Sequence, residues 1–373
     1  MTSIPLPPFL SALRHDRFFH ALLIALLVLT ALAPAKTGSY FSLIDWPTIA
    51  TLSGLLLLTK SLELSGYLTQ LGARLISLLP SQRALALLLV CATALLAMVL
   101  TNDVALFVIV PLTLGLRATI ALPMVRLVVF EALAANAGSA LTPIGNPQNL
   151  FLWQVSHVSF LSFCLAMLPM LIIVGAMLLV LCFFAFSAAR LEVHPEAEAE
   201  PVERKFLNLA LLLYLPFLIA ADMHYAFPAL VLLLLMFVLL ARKALAQTDW
   251  GLILVFMLMF IDLRLLAQMP AVHGAIASIG LDNAVRLYVS GMLASQVISN
   301  VPAAILLAEY SKDWRVIAWS VDIGGFGLVM GSLANIIALR MVRLPGAWTV
   351  FHLYSVPFLL LCGALGYGYL FWL

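Results

Sequence analysis

Apolar runs separated by short polar breaks fill almost the whole chain. The runs lie near residues 18–34, 46–62, 84–100, 103–117, 122–140, 145–155, 160–188, 206–221, 226–241, 250–267, 284–298, 301–311, 316–327, 331–341 and 350–372. A helix that spans a bilayer needs about 20 apolar residues, and several of these runs are shorter than that. The pattern therefore predicts an all-α, polytopic membrane protein in which the short runs are half-helices or the legs of re-entrant hairpins.

The composition supports this class. Of the 373 residues, 64% are hydrophobic and 10% are charged, and the mean hydropathy is +1.13; a soluble domain does not have this balance. The positive charges are scattered over segment ends, so no basic patch indicates binding to nucleic acid. The seven histidines do not cluster, which argues against a resident metal site. The four cysteines have no paired spacing and are interpreted as small hydrophobic side chains: Cys91, Cys164, Cys182 and Cys362.

The positive charges also predict the orientation of the chain. Arg14 and Arg17 precede the first apolar run, which we expect to remain as an uncleaved helix. If they are placed in the cytoplasm, fourteen of the 19 lysines and arginines fall on the cytoplasmic side, as the positive-inside rule favours. Two alternatives stay open for residues 84–117, a re-entrant hairpin or two full spans, because both return the chain to the same side.

A polar stretch at mid-chain divides the sequence into two halves. Residues 190–205 contain five glutamates and two prolines and are predicted to form a cytoplasmic acidic linker. The N-terminal half, 1–189, contains a first repeat at about 45–155. The C-terminal half, 206–373, contains a second repeat at about 249–341.

The two repeats share an ordered series of motifs. The corresponding pairs are Asp45-Trp46 and Asp249-Trp250, Lys60 and Arg264, Thr101-Asn102-Asp103 and Ser299-Asn300-Val301, Asn136 and Asp322, and Gly145-Asn146-Pro147-Gln148-Asn149 and Gly331-Ser332-Leu333-Ala334-Asn335. In the predicted threading the two series cross the membrane in opposite directions. Inverted repeats with interrupted helices at matching positions are typical of secondary transporters, whose binding site lies near the bilayer midplane.

The stretch Leu141–Asn149 breaks its helix most clearly, because it holds two prolines, a glycine and four polar residues. Pro143 and Pro147 lack an N–H and clash with the carbonyl of the preceding turn, so an ordinary helix cannot continue through them. Backbone that opens at membrane depth must be buried in protein or line a wet cavity. The stretch is therefore a candidate binding site; the alternative is a polar loop between two helices.

These motifs resemble those of a known group of membrane proteins. Thr-Asn-Asp-Val-Ala-Leu at 101–106, Leu-Thr-Pro-Ile-Gly-Asn-Pro-Gln-Asn at 141–149 and Gly-Ser-Leu-Ala-Asn at 331–335 are similar to motifs of the ion transporter superfamily. That superfamily holds arsenite permeases, citrate transporters, divalent anion/sodium symporters and a sodium/proton antiporter branch. The resemblance covers residues 40–373, approximately.

The resemblance implies an architecture and a location. It implies two re-entrant hairpins with Asn102 and Asn300 at their tips, and two helices broken near 142–149 and 328–335. In sodium-coupled relatives each tip and the facing broken helix hold one cation, and the substrate lies between them. The resemblance further implies a homodimer in the bacterial inner membrane that works by an elevator-like motion.

The candidate ligands for a substrate or an ion are polar residues at the hairpin tips and at the helix breaks, together with the proline and glycines that interrupt the helices. They are Thr101, Asn102, Asp103, Thr142, Pro143, Gly145, Asn146, Asn149, Ser299, Asn300, Gly331, Ser332 and Asn335, with Asn136 and Asp322 in supporting roles. An asparagine can bind a cation through its carbonyl oxygen and an anion through its NH₂ group. The alternatives are that the asparagines cap helices and that the hydroxyl groups bond to their own helix backbone.

Asp103 is the most distinctive of these candidates. A carboxylate at the bilayer centre costs about 2.5–3.5 kcal/mol on insertion scales, so it is a functional hypothesis by default. Its repeat counterpart is Val301, so the fold does not require the charge. Asp103 either couples transport to a proton or a cation, or it caps the second hairpin leg. Asp322 is the next candidate for the coupling role.

The sequence thus predicts a secondary active transporter of a small anion or oxyanion, such as citrate, a dicarboxylate or arsenite, coupled to sodium or protons. A sodium/proton-type cation antiporter and a membrane assembly factor are the alternatives. The sequence holds no protease or hydrolase motif, so we expect no enzyme activity. The expected partners are the lipid bilayer and a small inorganic or organic ion. We expect no cofactor and no metal other than a transported sodium ion.

Overall fold

The computed structural model describes residues 17–68, 70, 81–116, 123–190, 202–342 and 344–372. Within these ranges all regular secondary structure is helical, apart from one isolated bridge between Ser81 and Arg190. Five of the described helices are long and apolar enough to cross a bilayer on their own. The prediction of an all-α, polytopic membrane protein is confirmed. Most of the predicted acidic linker, 191–201, lies outside the described residues.

The chain forms two compact units, each built from two separate parts of the sequence. The first unit comprises Met1–Leu64 and Arg204–Ile279. The second unit comprises Ser65–Glu203 and Gly280–Leu373 and contains every candidate site residue. Each unit therefore draws on both halves of the sequence. The division into an N-terminal half, a linker and a C-terminal half stays a prediction.

The helices are numbered here in chain order. The first unit contains α1 (Arg17–Leu32), α2 (Tyr40–Leu43), α3 (Trp46–Leu64), α9 (Arg204–Asp222), α10 (Ala226–Leu240), α11 (Arg242–Gln247), α12 (Trp250–Ala267) and α13 (Pro270–Ile279), with a 3-10 turn at Pro34–Ser39 before α2. The second unit contains α4 (Gln82–Val99), α5 (Asn102–Gly115), α6 (Met124–Ser139), α7 (Pro147–Ser156), α8 (Phe160–Ala185), α14 (Ala284–Ile298), α15 (Asn300–Ala308), α16 (Trp314–Gly324), α17 (Leu333–Val342) and α18 (Ala347–Trp372).

The first unit shows the repeat most clearly at the starts of α3 and α12. Asp45 Oδ1 accepts a hydrogen bond from the N–H of Thr48 at 3.0 Å, and Asp249 Oδ1 accepts one from the N–H of Leu252 at 3.2 Å. Each aspartate thus satisfies an otherwise free donor of the first helical turn. The following tryptophans also match, since each indole N–H donates to the carbonyl five residues earlier, at 3.0 Å and 2.9 Å.

The second unit consists of two hairpins and two broken helices. The first hairpin is α4 and α5, and the second is α14 and α15; the first broken helix is α6 and α7, and the second is α16 and α17. Helix α4 packs against α6, and α14 packs against α16. The second leg of each hairpin also contacts the second half of the other repeat's broken helix, because α5 packs against α17 and α15 packs against α7.

Helix α8 illustrates how the long helices meet lipid. Residues buried on one face, Phe163, Met167, Met170, Val174, Leu178 and Cys182, recur every three or four positions. Exposed residues on the other side include Leu161, Leu165 and Ile172. A helix that is apolar all round, with one packed face and one exposed apolar face, is typical of a membrane span.

Three short elements were not predicted from the sequence: the turn and helix at 34–43, α11 and α13. Helix α13 has only ten residues, includes Gly274 and has no buried residue. A stretch without a buried face gives no apolar periodicity to recognise. The predicted polar breaks, in contrast, coincide with the ends of the described helices.

Candidate functional site

The two broken helices are joined across the repeats by buried side chains. Asn136, in α6, donates from Nδ2 to Oδ1 of Asn335 at 2.8 Å. The hydroxyl group of Ser332 donates to Oδ1 of Asn136 at 3.0 Å. Asn136 lies in the first repeat, whereas its two partners lie where the second broken helix restarts. All three side chains are buried, so both bonds form in surroundings where an unmade bond would be costly.

Asp322 makes the corresponding connection in the other direction. It lies near the end of α16, and its Oδ1 accepts hydrogen bonds from Asn146 Nδ2 at 3.1 Å and from Gln148 Nε2 at 2.9 Å. The side chain of Asn149 also lies beside the carboxylate. These three amide residues surround the start of α7, where the positive end of the helix dipole favours a negative charge.

The two sets of contacts are related by the internal repeat. Asn136 and Asp322 each stand thirteen residues before the closing asparagine of their motif. Ser332, which contacts Asn136, corresponds to Asn146, which contacts Asp322. We call these six residues, Asn136, Asn146, Gln148, Asp322, Ser332 and Asn335, the inter-repeat network. Its only ionisable member is Asp322.

The first hairpin tip contacts the first break through its backbone. The N–H of Asn102 donates to the carbonyl of Gly145 at 2.8 Å. Thr101 caps α5, because its hydroxyl group accepts from the N–H of Val104 at 3.4 Å. The side-chain oxygen of Asn102 accepts from the N–H of Asp103 at 3.0 Å. The cap of this leg is therefore Thr101, and Asp103 lies in the first turn of α5.

Asp103 is not part of the inter-repeat network. Its side chain is half-buried, and its Oδ1 atom is buried without a hydrogen-bond donor in the described part of the chain. The positive end of α5 favours its charge. Its coupling role, predicted from the sequence, stays a prediction.

The second hairpin tip has an unusual backbone conformation. Ser299 has φ +73° and ψ 157°, a region that is essentially restricted to glycine. The next residue, Asn300, lies close to Gly325 at the start of the second break. Its Nδ2 is 3.2 Å from the position that a Cβ added at Gly325 would take. The same Cβ would lie 3.8 Å from Cγ of Asn136. Asn300 and Asn136 therefore flank the start of the second break, which brings this tip next to the network.

Neighbouring helices hold the opened backbone of both breaks. The hydroxyl group of Thr142 donates to the carbonyl of Met98, in α4, at 2.7 Å. Gln296, in α14, donates to the carbonyl of Gly324 at 2.6 Å and accepts from the N–H of Leu328 at 2.7 Å. Met98 and Gln296 correspond to each other in the two repeats. Two backbone groups of the second break are thus satisfied inside protein, as membrane depth requires, and the first break is anchored to α4.

The glycines of the two motifs allow the chain to fold back closely at each break. A Cβ at Gly145 would overlap the backbone of Ser139, and a Cβ at Gly331 would lie 2.6 Å from the carbonyl oxygen of Gly324. Neither position has room for a side chain. Pro143 is buried within the first break and contributes its fixed φ rather than a polar contact.

Two residues that contact the breaks or the network were not among the predicted ligands. Gln148 was part of the predicted motif but not a predicted ligand; its place in the first turn of α7 brings it to Asp322. Gln296 precedes the second hairpin tip by three residues, and only its distant partners reveal it. Local patterns did not predict either contact, because the contacting residues are 174 and between 28 and 32 positions apart.

Glu131 is a further buried acid, and its side chain is 0% exposed. The hydroxyl group of Thr113, in α5, donates to its Oε1. Its Oε2 has no donor among the residues that the structure describes. Arg126, the basic residue nearest in sequence, donates to the carbonyl of Ala185 at 2.7 Å.

This fold, with two interrupted helices joined by buried polar side chains, defines a class: polytopic membrane transporters with internal repeats. The chain belongs to the citrate transporter family, whose model matches residues 12–319. The family assignment that the motifs predicted is confirmed.

Three relatives illustrate the range of the similarity. Inner membrane protein YbiR of Escherichia coli is 45% identical over 363 residues, which cover 96% of this chain and 97% of the relative. Uncharacterized transporter MJ0456 of Methanocaldococcus jannaschii is 31% identical over 321 residues, 85% of this chain and 86% of the relative. Silicon efflux transporter LSI3 of Oryza sativa is 36% identical over 166 residues, 44% of this chain and 34% of the relative.

These findings establish the general function. The chain is a multi-pass membrane transporter of the inner membrane, and it is not an enzyme. The prediction of transport is confirmed at this level.

Proposed function

We propose that this transporter moves a small anion or oxyanion, in the class of citrate, dicarboxylates or arsenite, by secondary active transport coupled to sodium or protons. The observation that carries the proposal is the inter-repeat network, which joins two helix breaks with buried amide, hydroxyl and carboxylate groups. Interrupted helices in matching positions form the solute sites of such transporters.

The groups at the breaks suit a small solute rich in oxygen. The helices α7 and α17 begin at the breaks, and their positive N-terminal ends favour an anionic group. Asn300 and Ser299 at the second tip add hydrogen-bond donors beside the network. The name of the matching family, citrate transporter, and the name of one relative, silicon efflux transporter, agree with solutes of this kind.

A cation antiporter is the second candidate function. It is favoured by Asp322 and Asp103, because each has a buried carboxylate oxygen without a hydrogen-bond donor within the described ranges. A protein that carries only cations needs such acids and needs no positive group for a substrate. A non-transporting assembly factor has no structural observation in its favour.

Counterflow in proteoliposomes tests the proposal. Vesicles are loaded with unlabelled citrate, succinate, arsenite or phosphate. They are then diluted into buffer that contains the same solute in labelled form. We expect labelled solute to accumulate transiently with at least one of these and not in protein-free vesicles. Asn335→Ala should reduce this uptake, whereas Asn208→Ala, an exposed change in α9, should not.

The alternatives give different results in the same vesicles. If no solute shows counterflow but added sodium dissipates a preformed proton gradient, the protein is a cation antiporter. If neither activity is found in correctly folded protein, the proposed function is wrong.

The arrangement in the membrane is also a proposal. We infer a homodimer with a cytoplasmic N-terminus, supported by the resemblance to the superfamily and by the distribution of lysine and arginine. The elevator-like motion that the resemblance implies is part of this proposal. The proposed transport cycle uses no resident cofactor, and the coupling ion is itself transported.

A further inference from the structure

Three buried oxygen atoms beside the start of α7 have no hydrogen-bond donor in the described part of the chain. They are Oε1 of Gln148, Oδ1 of Asn149 and Oδ2 of Asp322. Asp322 and Gln148 are each 2% exposed, and Asn149 is 0% exposed. A buried polar atom without a partner is expensive, so three of them on neighbouring residues require an explanation.

The hydrogen bonds that are formed fix the direction of these amides. A carboxylate only accepts hydrogen bonds, so Gln148 must turn its nitrogen towards Asp322, as it does at 2.9 Å. Asn149 uses its nitrogen to donate to the carbonyl of Ala140 at 3.2 Å. The oxygen of each amide therefore has no hydrogen-bond donor within the described residues. The three free atoms are all acceptors, which indicates an occupant that donates hydrogen bonds or carries a positive charge, rather than an anion.

The charge at this position leads to the same conclusion. No lysine, arginine or histidine among the described residues forms an ion pair with Asp322. Asn146, Gln148, the neighbouring Asn149 and the positive end of α7 stabilise the carboxylate. They leave Oδ2 without a partner, and a buried charge needs a counter-charge.

A single proton would satisfy this group of atoms incompletely. A proton on Oδ2 can make at most one hydrogen bond, so at least one of the two amide oxygens stays unpaired. A metal cation accepts several oxygen ligands at once, so it can satisfy more than one of these atoms. Carboxylate and amide oxygens are the ligands that hard cations prefer. One carboxylate with two neutral oxygens balances a charge of one.

We propose that Asp322, Gln148 and Asn149 bind one small monovalent metal cation, of the class of sodium or lithium. This site combines the end of α16 from the second repeat with the start of α7 from the first repeat. It is separate from the hairpin tips, since Asn102 and Asn300 contribute none of its oxygens. The proposal rests on the proposed function, for which it names the coupling ion.

Ion binding to the purified full-length protein in detergent tests the proposal. Thermal unfolding is measured while sodium, lithium or potassium chloride replaces N-methyl-D-glucamine chloride at constant ionic strength, because screening must stay equal. A ligand that binds only the folded protein raises its melting temperature. We expect a saturable rise with sodium or lithium.

Variants then assign the effect to the site. Asp322→Asn keeps the size of the side chain and removes its charge, and we expect the affinity for the cation to fall at least about tenfold. Asp313→Asn is the matched control, because Asp313 is the exposed cap of the same helix, and it should bind like the parent. If Asp322→Asn does not fold, Gln148→Met removes a ligand oxygen without changing the charge and should also weaken binding.

Three results would overturn the proposal. The parent protein could show no saturable response to any of the metal cations, or its stability could depend on pH alone. The third is an equal response in the parent, Asp322→Asn and Gln148→Met. The binding assay contains neither substrate nor bilayer, so the two experiments are independent. A failure to bind the cation does not contradict counterflow, and a failure of counterflow does not contradict cation binding.

Discussion

Asn136 and Asp322 occupy equivalent positions in the two repeats, and each bonds to the restarted helix of the other repeat, at 2.8 Å to Asn335 and at 2.9 Å to Gln148. Each broken helix therefore depends on the other repeat for hydrogen-bond partners of its buried polar side chains. The pair differs in one chemical respect, because an amide both donates and accepts whereas a carboxylate only accepts. The difference concentrates the negative charge of the network on one side of an otherwise matching structure.

The hairpin tips give a first prediction. Asn102→Ala removes only a side chain whose oxygen bonds to its own neighbour, since the contact with Gly145 uses the backbone. We therefore expect Asn102→Ala and Asn300→Ala to fold with a stability loss of about 1 kcal/mol or less and to abolish counterflow. Expression and melting temperature are measured beside uptake, with Asn208→Ala as control. Normal uptake in both variants would reduce these residues to structural roles.

The two acids near the breaks give a second prediction. Asp103→Asn removes a charge from the first turn of α5 but leaves its cap, Thr101, in place. The helix dipole favours the charge, whereas the burial of Oδ1 without a donor disfavours it, so we expect the melting temperature to change little. If Asp322 holds the coupling cation, Asp103→Asn keeps the parent's dependence of uptake on sodium and pH. Loss of that dependence would restore Asp103 as the coupling group.

Ser299 gives a third prediction, about backbone strain. Its φ of +73° suits glycine, so Ser299→Gly should raise the free energy of unfolding by about 1 kcal/mol, as relief of strain exceeds the entropic cost of glycine. Ser299→Ala keeps the strain and removes the hydroxyl group. A loss of uptake in both variants would assign a role to the hydroxyl group. A loss in Ser299→Gly alone would assign the role to the strained backbone, and a lower stability of that variant would contradict the prediction.

Asp262, in α12 of the first unit, gives a fourth prediction. The residue is 4% exposed, and neither of its carboxylate oxygens has a hydrogen-bond donor within the described residues. Asp262→Asn removes the buried charge and should stabilise the protein by about 1–3 kcal/mol. Asp249→Asn, at the exposed cap of the same helix, should change the melting temperature little. A lower melting temperature for Asp262→Asn would mean that the carboxylate has a partner in the membrane.

The orientation gives a fifth prediction. His157 follows α7 and is exposed, and His194 lies in the predicted linker, outside the described residues. In a background without the four native cysteines, an impermeant thiol reagent applied to intact cells should label His157→Cys and spare His194→Cys. Lysed cells, in which both should react, serve as the control. The reverse pattern would invert the proposed sidedness of both hairpins.

The sequence predicted those features that arise from local chemistry. Prolines, glycines and polar residues interrupt apolar helices wherever they occur, so the breaks near Pro143 and Gly331 could be located from the sequence. The capping aspartates, Asp45 and Asp249, were visible as a repeated Asp-Trp pair. Family motifs then supplied the two hairpins.

The pairing across the repeats could not be predicted in the same way. Asn136 and Asn335 are 199 positions apart, and no local pattern indicates which distant amide faces which. Gln148 was overlooked because a polar residue in a first helical turn usually serves its own helix. The weakness of Asp103 as a cap was also hidden, since Thr101, two positions earlier, takes that role.

The unequal pair at positions 136 and 322 has an electrical consequence. With Asp322 ionised and Asn136 neutral, the empty network carries one negative charge, and one bound monovalent cation brings it to zero. Moving an elementary charge across the membrane potential takes about 2.3 kcal/mol per 100 mV. The return of the empty protein is therefore the voltage-sensitive step of the proposed cycle. When the cation is bound, the network is neutral and its movement across the membrane takes no electrical work. In that step the membrane potential acts only on the charge of the transported solute.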